Sequence, residues 1–250
     1  MSLDFYPSAN DLIESELSVL NHLRNDTYIK ENHYHLADAA NKYYARSKAN
    51  YESGFEFFSY FDMWHRPAHQ GKLKLARRGM PPPNLRLVVA SLIRLKKGVF
   101  QNVTYCLAVC RLGRTGFPIL RKFHFDITFS SGDGKKKSQA HPSCHLQYCG
   151  EMLPAMAEMG VLETQINQLN PWLSEPRLFS PPMSLALLVD MAFHEFPDQR
   201  STKFRDTSAW KDLIRKQEAL VLKPFYQKCL DVIVDIHDQK QTLADVFYVD

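Results

Sequence analysis

The run from Leu85 to Gly150 constrains the fold of this chain more than any other feature. Four successive segments read as β-strands. LRLVVASLIRLKKG puts Leu85, Leu87, Val89, Ile93 and Leu95 on one face of an extended chain. VTYCLAVCRLGR is apolar on both faces, the pattern of a strand in the middle of a sheet. Gly113 and Gly116 bracket the next turn, and ILRKFHFDITF and SCHLQYCG are the third and fourth strands. Parallel pairing needs a crossover of a dozen or more residues, about the length of a short helix. Most connections here are shorter, so the reading is an antiparallel β-meander of four or more strands.

The flanks read as helical. In SANDLIESELSVLNHLR, Ser8 can cap, and Leu12, Ile13, Leu17, Leu20 and Leu23 form an apolar stripe. A second helix is expected from His35 to Tyr51, stopped near Gly54. FEFFSYFDMWHRPAHQ suits a strand or a packed irregular segment equally well. GKLKLARRGMPPPN, with Pro81, Pro82 and Pro83, reads as a connection or an arm. Beyond Glu151, EMLPAMAEMGVLETQINQL reads as a broken helical segment and NPWLSEPRLFSPP as a proline-rich connector. Ser180 is the expected cap of the helix PPMSLALLVDMAFHEF, with Pro181 at its first position. Ser208 to His237 reads as a long helical stretch, kinked or broken at Pro224. The expected architecture is one α+β domain over 1–250, helical over 1–53, a sheet over 85–150, and helical over 151–250.

Composition narrows the class. Of 250 residues, 45% are hydrophobic and 23% charged, enough to bury a core without disulfides or a metal. The net charge of +4 is too mild to mark a nucleic-acid-binding protein by itself. Five cysteines, an odd number with no C-x-x-C, read as free thiols in a reducing compartment. No secretory signal is visible and no run approaches the roughly 18 apolar residues of a membrane span, so the expected location is the cytoplasm. There is no phosphate-binding glycine loop, nucleophile elbow or H-E-x-x-H motif.

The chemistry-bearing stretch is KFHFDITFSSGDGKKKSQAHPSCHLQYCGE, from Lys122 to Glu151. On its first strand, Phe123, Phe125, Ile127 and Phe129 alternate with Lys122, His124, Asp126 and Thr128. On its second, His145 and Gln147 oppose Cys144, Leu146 and Tyr148. With the phenylalanines and Leu146 in the core, His124, Asp126, His145 and Gln147 form one patch. The register cannot be read, because the connection from Ser130 to Pro142 is long. As a catalytic site, His124 and His145 would be the acid and base and Asp126 would orient a ring, with Arg121 or Lys135, Lys136 and Lys137 neutralising a phosphate. That chemistry suits metal-independent RNA cleavage. The competing account is a sheet with a solvated polar face.

Other constellations are less specific. His141, Cys144, His145 and Cys149 are zinc-ligand types, but their spacing matches no strong pattern and Cys144 and His145 face opposite ways on a strand. No metal and no cofactor is therefore expected. Lys135, Lys136, Lys137, Arg111 and Arg114, with Lys96 and Lys97, are candidates for a nucleic-acid surface or a solvated charge run. Asp190 and His194 read as a helix-surface pair or a proton relay. Glu195 with Asp198, and His65 with His69 in HRPAH, carry no specific pattern.

HPSCHLQYCGE followed by EPRLFSPPMSLALLVDMAFHEF resembles a pattern in uncharacterised bacterial proteins: a strand ending in H-L-Q or H-L-H, a P-R-(I/L)-x-x-P-P connector and a leucine-rich helix. The resemblance spans residues 141–196. The hairpin with a histidine-rich closing strand is similar to those of small toxins from toxin–antitoxin loci. The resemblance implies a bacterial defence or toxin–antitoxin setting and carries over no catalytic residue. The expected function is an accessory or interaction protein of a multi-protein system, with a protein partner and nucleic acid as a further candidate, and no membrane. The alternatives are a ribonuclease-type toxin using the histidine pair, and a purely structural partner subunit. An enzyme should place both imidazoles in one cleft, a nucleic-acid binder should gather its cations on one face, and a subunit should expose an apolar patch.

Overall fold

The alternation of the central runs becomes sheet registry in the computed structural model. It describes residues 6–26, 55–63, 85–96, 99–111, 116–129, 141–142, 144–148, 153, 156–157, 160–162, 177–236 and 248–249. The expected helix from His35 to Tyr51, HRPAH, the proline arm, the loop Ser131–Ala140 and Arg114 lie outside the described residues. The strands are β1 (Phe55–Met63), β2 (Leu85–Lys96), β3 (Val99–Arg111), β4 (Phe117–Thr128), β5 (His141–Pro142), β6 (Cys144–Tyr148), β7 (Val161–Leu162), β8 (Arg177–Phe179) and β9 (Tyr248–Val249). One sheet runs β1-β2-β3-β4-β6-β8, antiparallel at each step. β7 adds a short parallel pairing at the start of β4, and β5 pairs with β9.

The four expected strands form the middle of this sheet; at its margins one reading that was open becomes a strand and two readings change. The aromatic segment after Gly54 is a strand, β1, in register with β2 from Phe55↔Ile93 to Met63↔Leu85. The proline-rich connector contains β8, which pairs with β6, so the sheet reaches beyond 150. The segment read as broken helix supplies a helical turn at Met156–Ala157 and then β7. Strands of two or three residues carry too little periodicity to be seen in a sequence.

Helices from both ends of the chain cover one face. They are α1 (Ala9–Asn25), α2 (Leu185–Glu195), α3 (Gln199–Arg205), α4 (Ser208–Gln217) and α5 (Lys223–Ile236). Ser8 caps α1, accepting from the Asp11 amide at 3.2 Å. Leu12, Leu20 and Leu23 of α1 and Leu188, Val189 and Phe193 of α2 bury against Leu87, Val89, Val103, Tyr105, Leu107 and Ile127. Phe61 meets Phe193 edge-on, with centroids 4.8 Å apart. The second face carries a smaller core, in which Leu153, Met156 and Val161 pack on Val88, Ala90, Cys106, Ala108, Cys110 and Ile119.

Two helix boundaries differ from expectation. The cap of α2 is Ser184, not Ser180, and its side chain accepts from the Leu187 amide. Both serines precede an apolar run. Ser184 wins because Pro182 disfavours helical geometry at Pro181, the residue before it, and a helix capped by Ser184 starts clear of both prolines. The break expected at Pro224 comes before it. Residues Glu218–Leu222 form a π-helical segment, and the Lys223 amide reaches back to the Glu218 carbonyl. Pro224 then occupies the second position of α5. The wider turn takes up the lack of an N–H at proline while the chain continues nearly uninterrupted.

Candidate functional site

β4 lies between β3 and β6, so its polar row has neighbours on both sides. The register pairs Asp126 with Thr104 and His145, His124 with Cys106 and Gln147, and Lys122 with Ala108. Parity then places Lys122, His124, Asp126, Thr104, Cys106, His145 and Gln147 on the face opposite the helices. His124 and His145 are diagonal neighbours there, one step apart along adjacent strands.

This face is not the solvated polar surface that alternation suggests. His124 and His145 are each 4% exposed and Lys122 is 1% exposed. Asp126 is the most open of the charged groups, with its side chain 18% exposed. Thr104 Oγ1 donates to Asp126 Oδ1 at 2.6 Å, which anchors one carboxylate oxygen. Asp126 Oδ2 faces His145 Nε2 at 3.5 Å, an ion pair when the imidazole is protonated. Alternation says which side of a strand a residue occupies. What covers that side is set by the rest of the chain.

The arrangement is a carboxylate held by a threonine and aimed at an imidazole, with a second imidazole and a lysine further along the same strand. Such a carboxylate can orient a ring and stabilise its charged form. The neighbouring thiol is no nucleophile at neutral pH. Burial pushes the Cys106 pKa well up and outweighs the nearby Lys122 charge, while Asp126 raises it further. Cys110 and Cys144 are likewise pushed up to about 12 by burial.

The remaining candidates separate. Cys144 belongs to the helix-side core and His145 to the opposite face, so these two do not share a metal. Among the described residues no group of three or more histidines, cysteines and acids is placed to hold one. Arg111 is exposed at the end of β3 and Arg121 is exposed on β4. Lys135, Lys136, Lys137 and Arg114 lie outside the described residues. Asp190 is not paired simply with His194. Its carboxylate accepts from Arg205 Nε at 2.8 Å, Arg205 Nη2 at 3.0 Å and Trp210 Nε1 at 2.8 Å. Arg205 Nη1 lies 3.1 Å from His194 Nδ1. Asp190 therefore ties α2 to α3 and α4 as a structural hub. Asp198 caps α3 in a reciprocal box with Ser201.

Two features escaped the sequence reading. Tyr226, Leu230 and Val234 of α5 are 50%, 57% and 67% exposed. Their spacing of four residues was visible, but α5 is apolar on more than one side, and periodicity alone does not say which side is covered. On the edge strand β8, Leu178 and Phe179 are 48% and 44% exposed. The second feature is Glu16, buried within the apolar stripe of α1. No protein-family model matches this chain, and no curated protein or solved structure matches it either.

Proposed function

We propose that this protein is an interaction subunit that binds a protein partner through the outer face of α5. The observation that carries this reading is the exposed row Tyr226, Leu230 and Val234 on successive turns. Each of these side chains still exposes half or more of its surface, so covering it is worth roughly 1–2 kcal/mol, a driving force left unused in the isolated chain. Aromatic contacts through the buried Phe225 connect Tyr226 to the exposed Phe179 at the sheet edge. Phe225 lies 5.3 Å from Tyr226 and 5.8 Å from Phe179, centroid to centroid. The polar residues around the row are Lys223, Gln227, Lys228 and Asp231, all exposed and of mixed charge. A mixed rim around an apolar line suits an amphipathic helix better than a phosphate backbone. A bacterial defence setting enters through the resemblance of residues 141–196 alone.

The test places a photo-crosslinking side chain at position 230 in cells of the native host, with position 211 on α4 as an exposed control. The expected result is a discrete adduct from 230 and none from 211. Reconstitution with the identified partner should then fail for Leu230→Lys while its melting temperature is kept. The same adducts from both positions, or a complex indifferent to Leu230→Lys, would overturn the proposal. An adduct of twice the chain mass would identify the partner as a second copy.

A second reading, acid–base chemistry on the sheet, is favoured by one observation. Asp126 is fixed by Thr104 and faces His145, with His124 on the same side. Because both imidazoles are buried, catalysis would require that face to open to an RNA strand. Cleavage of a labelled RNA by the wild-type protein, abolished in His124→Ala and in His145→Ala, would establish it. Absence of cleavage by the wild-type protein would remove it.

A further inference from the structure

We propose that Glu16 is a proton-operated latch, fastening α1 and the start of α2 to the sheet while its carboxyl is neutral and loosening them when it ionises. Glu16 is 1% exposed, in the middle of the helix-side core. Its Oε1 accepts from the Tyr105 hydroxyl at 2.6 Å and from the Leu185 amide at 3.2 Å. One oxygen atom thus joins α1, the interior strand β3 and the first residue of α2. The other oxygen, Oε2, is buried with no hydrogen-bond partner among the described residues. A neutral carboxyl can carry its proton there at modest cost. A carboxylate would leave charge on a buried oxygen with nothing to receive it.

Among the described residues, the groups facing Glu16 offer no counter-charge. They are the Tyr105 hydroxyl on β3, the Leu185 amide on α2, and the Tyr6 hydroxyl ahead of α1, which lies near Cys144 of β6. From α4, the Gln217 amide donates to Ser15 beside it. Burial pushes the Glu16 pKa up to about 7, against the pull of the Tyr105 and Leu185 hydrogen bonds. The folded protein therefore holds a proton that the unfolded chain gives up in the ordinary glutamate range near pH 4.5. The stabilisation is complete below that range, declines as pH rises, and is gone above about 7. The latch works near neutrality, where a modest pH change alters how firmly both helices are held.

The experiment is urea unfolding of the full chain at pH steps from acid to mildly alkaline, for the wild type and Glu16→Gln. The wild-type unfolding equilibrium should shift toward the unfolded state by on the order of 100-fold over this range. Glu16→Gln keeps the Oε1 acceptor and cannot ionise, so its profile should lack this decline between pH 4.5 and about 7 while keeping the acid dependence of the other carboxyls. Equal pH slopes for the two proteins would overturn the latch. A measurement on the wild type alone covers the case in which the variant does not fold. The side-chain carboxyl 13C resonance of Glu16 should titrate near neutrality, and titration in the ordinary glutamate range would refute the proposal. Hydrogen exchange at the first turn of α2, corrected for intrinsic rates, should accelerate over the same pH interval. Protection that does not change with pH would show that ionisation releases nothing.

Discussion

Asp190→Ala removes the acceptor shared by three donors on two helices. Trp210 is 1% exposed, and its indole N–H would lose the oxygen it reaches at 2.8 Å. An orphaned buried donor costs about 1–3 kcal/mol. The Arg205 side chain is 29% exposed, so the guanidinium can turn to water. A partly exposed ion pair of this kind adds only about 0–1 kcal/mol. The expected loss is therefore about 1–4 kcal/mol, most of it from the tryptophan. Asp190→Asn keeps an acceptor for Trp210 and should cost roughly half as much. In the double variant with Trp210→Phe, the orphan disappears, so the two losses should add to less than their sum. Burial pushes the Asp190 pKa up, but the hydrogen bonds from Arg205 and Trp210 outweigh it and hold it below the usual range. A depressed carboxyl stabilises above its ordinary range and loses that effect as pH falls through the folded-state value. The stability gap between the wild type and Asp190→Asn should therefore close below about pH 4. Urea unfolding monitored by tryptophan fluorescence measures all three variants. A loss under about 0.5 kcal/mol for Asp190→Ala, or a gap independent of pH, would refute the hub.

His124→Ala and His145→Ala should each destabilise the fold by about 1–3 kcal/mol in the same assay, because both rings are buried rather than solvated. Two variants as stable as the parent would mean that this face is open in solution. Gly116 has φ +149°, and a Cβ there would lie 2.7 Å from Leu162 Cδ1 and 2.9 Å from the Gly160 carbonyl oxygen. Gly116→Ala should cost about 1–3 kcal/mol by thermal melting, since that backbone conformation is nearly closed to other residues. A melt unchanged by the substitution would show that β7 does not pack against the start of β4.

The parts of this fold that were legible in the sequence are those set by local geometry. A strand must alternate, so β2, β3, β4 and β6 could be read from residues 85–148, and short connections made the first three antiparallel. Parity alone put His124, Asp126 and His145 on a common face, because each lies opposite the apolar row of its own strand. Glu16 could also have been flagged, since it stands four residues from both Leu12 and Leu20 in the buried stripe. The tertiary structure decided what covers each face. It buries Lys122 and both histidines, leaves Tyr226, Leu230 and Val234 in the open, and turns a helix-surface aspartate into the link between three helices. Side-chain direction follows from backbone sterics within a few residues, whereas burial sums over segments far apart in the chain, and no local pattern contains that sum.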